Sequence, residues 1–162
     1  MNNSKKLRLL FVCMGNICRS PSAEGVMRNL IAEAGLAEQI AVDSAGTHAY
    51  HVGHPPDKRS QAAALQRGVD ISALKARTVT AADYAQFDLL LAMDWDNLHL
   101  LQAACPPEHE HKCKRLMEFA TAHASPVVPD PYYGGTAGFD EVLDLCDDGC
   151  AGVLAWCQMR LI

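Results

Sequence analysis

Apolar residues gather early in the chain into a run from Leu7 to Val12, interrupted only by Arg8, and polarity then rises abruptly at residues 13–20. Such a run reads as a strand buried on both faces. Ala23, Val26, Met27, Leu30, Ile31 and Ala34 follow at helical spacing, and Gly35 is placed to end that helix. Gln39 to Ser44 reads as a second strand, and residues 57–66 as a helix followed by a turn-rich stretch to Arg77. Thr80 to Asp83 has the pattern of a capping box, Leu89 to Met93 is an unbroken apolar run, and Asp94 is placed to cap a helix from Trp95 to about Ala103. Arg115 to Phe119 is the expected fourth strand. Phe139, Val142, Leu143, Cys146, Cys150, Val153, Leu154, Cys157 and Leu161 repeat at helical spacing and predict a long C-terminal helix with one apolar face. Strands alternating with helices imply an α/β domain whose parallel, doubly wound sheet binds ligands at the strands' carboxyl ends.

The segment between the first strand and the first helix carries the candidate chemistry. Cys13 ends the strand, Met14, Gly15, Asn16, Ile17 and Cys18 make a turn, and Arg19, Ser20 and Pro21 open the helix. Ser20 is the expected cap and Pro21 the first helical residue. Gly15 and Asn16 tolerate the left-handed backbone that a wrapped loop needs. The loop N–H groups and the helix dipole would then converge beside Cys13, which favours an anion there and a thiolate nucleophile. Arg19, six residues after Cys13, adds a planar fork that fits two phosphate oxygens at once.

With those residues in view, the stretch from Val12 to Pro21 resembles the signature of the low-molecular-weight protein tyrosine phosphatases. Asp130, Pro131, Tyr132 and Tyr133 resemble that family's general-acid loop, and residues 42–47, 53–57 and 87–94 also match its pattern. The resemblance implies one domain over residues 1–162, with a four-stranded parallel sheet, helices on both faces and a phosphate-binding loop after the first strand. It implies hydrolysis of phosphotyrosine or another aryl phosphate through a phosphocysteine. Cys13 would attack phosphorus, Arg19 and the amides of residues 14–19 would hold the oxygens, and Asp130 would protonate the leaving phenolate. No cofactor or metal is expected. Also by resemblance, Ser20 would hydrogen-bond the sulfur, and Asn16 and Ser44 would lock the loop from beneath. Tyr50 and Tyr132 would wall a crevice too deep for phosphoserine to reach sulfur. Ile17 would lie at the crevice edge, and Tyr133 is expected partly in the core. The chain departs from its relatives at Leu74, where the family usually has a histidine.

Composition narrows the rest. A net charge of −5 argues against nucleic acid or an anionic membrane surface as partner. No apolar stretch is long enough to span a bilayer, and Lys5 and Lys6 precede a strand instead of a signal-peptide core. A cytoplasmic protein, monomeric or weakly homodimeric, is expected. Seven scattered cysteines fit reduced thiols better than a disulfide framework. Cys146, Cys150 and Cys157 belong to the apolar helix face, while Cys105, His109, His111 and Cys113 read as a solvent-exposed loop, their spacing being no common zinc pattern. His48, His51 and His54 read as a solvated rim around Tyr50. Cys18 could close a disulfide with an oxidised Cys13. Arsenate reduction is the rival chemistry, but it needs resolving cysteines around the third strand, and residues 66–104 contain none. A phosphotyrosine-binding module without catalysis is the other rival, and the trio Cys13, Arg19 and Asp130 argues against it.

Overall fold

Residues 5–162 are described by the structure, a computed structural model. Four strands, β1 (Leu7–Cys13), β2 (Ile40–Gly46), β3 (Leu89–Ala92) and β4 (Cys113–Arg115), form one parallel sheet in the order β2-β1-β3-β4. Helices α1 (Arg19–Glu33), α2 (Lys58–Gln66), α3 (Ala81–Gln86), α4 (Trp95–Ala104) and α5 (Thr136–Arg160) cover it. Side chains on a strand alternate between faces, so the apolar runs feed two cores. Leu9, Phe11, Leu89 and Leu91 join the core under α1 and α5, whereas Leu10, Val12, Leu90 and Ala92 join the one under α3 and α4.

Helix ends follow local chemistry. Gly35, with φ +73°, closes α1 as Leu36 N–H reaches back to Ile31 O at 2.9 Å, the geometry of a Schellman end. Ala34 therefore falls outside the helix and is exposed. Asp57 accepts from Arg59 N–H at 2.8 Å to start α2, Asp83 accepts from Thr80 N–H at 2.7 Å at the head of α3, and Asp94 accepts from Asn97 N–H at 2.8 Å to start α4.

Three sequence expectations are corrected. Helix α1 begins at Arg19 with Cys18 as its cap, not Ser20, and Pro21 lies in the third helical position; the Ser20 hydroxyl is taken up at Cys13 instead. The fourth strand occupies Cys113–Arg115, while Leu116–Phe119 is a 3-10 turn. That turn presses into α5 so closely that a Cβ at Gly152 would clash with Phe119 O. Cys113 is thereby a buried strand residue and no part of an exposed loop. Among the described residues no cluster of three or more His, Cys, Asp or Glu could hold a metal ion.

The order β2-β1-β3 reverses winding direction between β1 and β3, and the crevice outside their carboxyl ends is the expected ligand site. Residues 14–18 fill its floor.

Candidate active site

Asn16 alone among the non-glycine residues described takes a positive φ, 59°, which bends the chain after Cys13 into a cup. The cup is held from behind: Thr47 N–H donates to Cys13 O at 2.9 Å and His48 N–H to Met14 O at 3.0 Å. The N–H groups of residues 14–19 donate to no backbone carbonyl or side chain among the described residues, and so remain for a ligand. Cys13 lies at the bottom, 3% exposed, with Sγ 3.0 Å from Ser20 Oγ. Asn16 sits beneath the cup, its Nδ2 donating to Ser20 Oγ at 2.8 Å and to Ser44 Oγ at 3.0 Å, its Oδ1 accepting from Arg77 N–H at 3.0 Å.

Arg19 is 2% exposed, and its Nη1 is fully engaged while the rest of its fork is left for a ligand. Its Nη1 donates to Asp94 Oδ2 at 2.5 Å and to Val128 O at 3.1 Å, while Nη2 lies 3.8 Å from Asp130 Oδ2. Asp94 thus does two jobs at once, capping α4 with one oxygen and aiming Arg19 with the other. Burial works to lower the guanidinium's pKa, but Cys13, Asp94 and Asp130 outweigh it and raise it.

Asp130 reaches the site from the long connection after β4. Val128 N–H donates to Met93 O at 2.8 Å, returning that connection to the end of β3. Asp130 Oδ1 then accepts from Tyr132 N–H at 3.0 Å, an Asx turn that fixes the carboxyl. Arg59 braces the same loop, donating to Tyr132 O at 3.0 Å and lying over the rings of Tyr132 and Phe139. Asp57, its ion-pair partner, donates from its backbone N–H to Ile17 O at 2.8 Å, so the start of α2 links the cup to the acid loop.

One pocket holds Cys13, Met14, Gly15, Ile17, Cys18 and Arg19 at its base and Tyr50, His51, Asp130, Tyr132 and Tyr133 around its mouth. Two expectations change here. Tyr133 is 94% exposed and packs edge-on to Tyr132, ring centres 4.9 Å apart, rather than partly in the core. His51 joins the wall beside Tyr132 at 6.3 Å; nothing in the sequence separated it from the neighbouring rim histidines. Ser44 lies beneath the site, not in it, and Leu74 packs against the apolar core with its aliphatic side chain. Cys18 is buried, and burial pushes its thiol up to about 12.

Residues 8–160 match the family model described as low molecular weight phosphotyrosine protein phosphatase. The chain belongs to that family. It is accordingly a hydrolase of phosphate monoesters, and its fold is the family's. The low molecular weight protein-tyrosine-phosphatase YfkJ of Bacillus subtilis is 39% identical over 152 residues, 94% of this chain and 96% of its own. A protein tyrosine phosphatase from Entamoeba histolytica, solved with Hepes in its active site, superposes with a TM-score of 0.94 at 39% identity, covering 97% of this chain and 100% of that one. A Drosophila arginine phosphatase superposes with a TM-score of 0.84 at 31% identity over 92% of this chain and 96% of its own.

Proposed function

We propose that this phosphatase hydrolyses phosphotyrosine in proteins by way of a phosphoryl group carried on Cys13. The observation that carries this reading is the convergence, in one pocket, of Cys13 Sγ, a cup of free amides, the aimed Arg19 and the Asp130 carboxyl. The thiolate attacks phosphorus in line while the P–O bond to the phenol breaks, and Asp130 gives its proton to the departing oxygen. Arg19 and the amides hold the three equatorial oxygens as they gain charge. Water then attacks the S–P bond, with Asp130 taking its proton, and phosphate leaves as the thiolate is restored. Side chains and amides complete each step without a metal.

The substrate class rests on the aromatic mouth. Tyr50 and Tyr132 both line the mouth of the pocket whose base holds the buried sulfur, which suits a flat ring standing on its phosphate. Phosphotyrosine peptides are expected to be hydrolysed far faster than phosphoserine peptides, with phosphoarginine peptides as the third comparison because of the Drosophila relative. Removing either tyrosine ring should weaken aryl phosphate binding by roughly 0.5–1.5 kcal/mol beyond the area lost. Comparable rates on phosphoserine or phosphoarginine peptides would refute the aromatic-slot reading.

All seven cysteines are free thiols, which suits a reducing compartment, and no helix among the described residues is long and apolar enough to cross a membrane. A cytoplasmic, monomeric or weakly dimeric enzyme is the corresponding reading. Cys18 remains the candidate partner for an oxidised Cys13, but it is buried and burial pushes its thiol up, which slows its attack as a thiolate. Peroxide followed by a dithiol should restore more activity in wild type than in Cys18→Ser, with a Cys13–Cys18 peptide found by mass spectrometry. Equal recovery without that peptide assigns Cys18 to packing.

A further inference from the structure

Glu24 is a carboxylate in the core to which the chemistry above gives no task. It is 2% exposed, a placement that a charge tolerates only with partners. Two hold it: Arg28, one helical turn on, with Nη1 2.5 Å from Oε2, and Ser44, whose hydroxyl donates to Oε1 at 2.6 Å. Leu74, where the resemblance leads one to expect histidine, offers this cluster no polar atom. The geometry follows from spacing. Ser20, Glu24 and Arg28 recur every four residues along one stripe of α1, and Ser44 continues the row of Ile40 and Val42 that faces that helix.

The hydrogen bonds run in one direction. Ser44 has a single hydroxyl hydrogen, and Glu24 takes it, so Ser44 Oγ meets Asn16 Nδ2 as an acceptor. The amide's second hydrogen goes to Ser20 Oγ. Ser20 is then an acceptor on that side, and its own hydrogen is left for Cys13 Sγ. Arg77 N–H on Asn16 Oδ1 opposes a flip of the amide.

We infer that Glu24 is a positioning residue that fixes the polarity of this relay through Ser44 and Asn16, so that the Ser20 hydroxyl donates to the Cys13 sulfur. The inference rests on Cys13 being the nucleophile: a donated hydrogen stabilises the thiolate before attack and again as it leaves phosphorus. Without an acceptor at residue 24, the Ser44 hydrogen turns toward Asn16 and competes with the bond the amide donates, leaving Arg77 N–H to hold the amide against a flip. An amide so loosened holds the Ser20 hydrogen on sulfur less firmly.

The test compares Glu24→Gln, Glu24→Leu and Ser44→Ala in the full chain. Three quantities are read: thermal unfolding, the iodoacetamide alkylation rate of Cys13 at about pH 6 followed on its own peptide, and kcat and KM on p-nitrophenyl phosphate. Glutamine still offers an oxygen to Ser44 and should stay within ~3-fold of wild type, whereas Glu24→Leu and Ser44→Ala should each lose roughly 10-fold in alkylation and in kcat, with KM little changed. A folded Glu24→Leu with wild-type alkylation overturns the inference, as does Glu24→Gln falling as far as Glu24→Leu. Should Glu24→Leu fail to fold, wild-type alkylation in Ser44→Ala overturns it equally. Alkylation needs no turnover, so a fall in alkylation with kcat preserved supports the relay and overturns the nucleophile reading instead.

Discussion

Cys13→Ser is expected to leave a folded protein with no measurable hydrolysis of p-nitrophenyl phosphate, a loss on the order of 10⁵–10⁶-fold, as when other covalent catalysts lose their nucleophile. The substitution is nearly isosteric, and the site tolerates it. Cys13 ends β1 with its backbone carbonyl bonded to Thr47 N–H, and a serine Oγ can replace Sγ beside Ser20. The chemistry should not survive, because a serine hydroxyl is far harder than a thiol to ionise near neutral pH. Phosphate binding should persist, since Arg19 and the loop amides are untouched. Wild-type activity should be unaffected by EDTA. Substantial turnover by the serine variant, or dependence on metal, would refute the mechanism.

Asp130→Ala is expected to slow hydrolysis by roughly 10²–10⁴-fold, the range for a positioned acid. The loss should shrink for leaving groups acidic enough to depart unprotonated, and an equal loss across leaving groups of widely different basicity would count against the role. The placement of this carboxyl depends on a loop anchored well away from the pocket. Asp148 on α5 collects the N–H groups of Thr121, Ala122 and His123 and the His123 ring at 2.7–3.2 Å. Burial pushes the Asp148 carboxyl up, but those hydrogen bonds outweigh it and hold it at about 2. From that anchor the chain crosses to Met93, where Val128 N–H is bound, and reaches Asp130 with little freedom left.

Residues whose side-chain type suggests chemistry were legible in the sequence. Cys13 and Arg19 stood out by type and spacing and Asp130 by resemblance to the family's general-acid loop, and the rule that ligands gather at strand carboxyl ends placed them in one crevice, where all three line one pocket. Asn16 was legible because its type tolerates the φ of 59° that it adopts. What the sequence concealed depended on neighbours from elsewhere in the chain. Ser20 and Pro21 have the local pattern of a cap and first turn, but α1 starts earlier because the Ser20 hydroxyl is taken up by the sulfur. The fourth strand is only three residues long, too short for a period-two pattern to show, and the apolar residues after it pack into the surface of α5 instead. Asp94 announced its cap but not its hold on Arg19. Glu24 gave no signal at all, since a single Glu in an amphipathic helix reads as a solvated position until Ser44 is placed beside it.

The central claim is that phosphate passes through Cys13. It is tested most directly by mixing Asp130→Ala with p-nitrophenyl phosphate, quenching in acid within the first turnover, and mapping the peptides by mass spectrometry. Nitrophenolate leaves without an acid, while water attack lacks its base, so the phosphoenzyme should accumulate. One phosphoryl group on the peptide carrying Cys13, absent when Cys13→Ser is combined with Asp130→Ala, is the predicted result. A nitrophenolate burst with no phosphoryl group on that peptide, or with the group on another residue, would contradict the account.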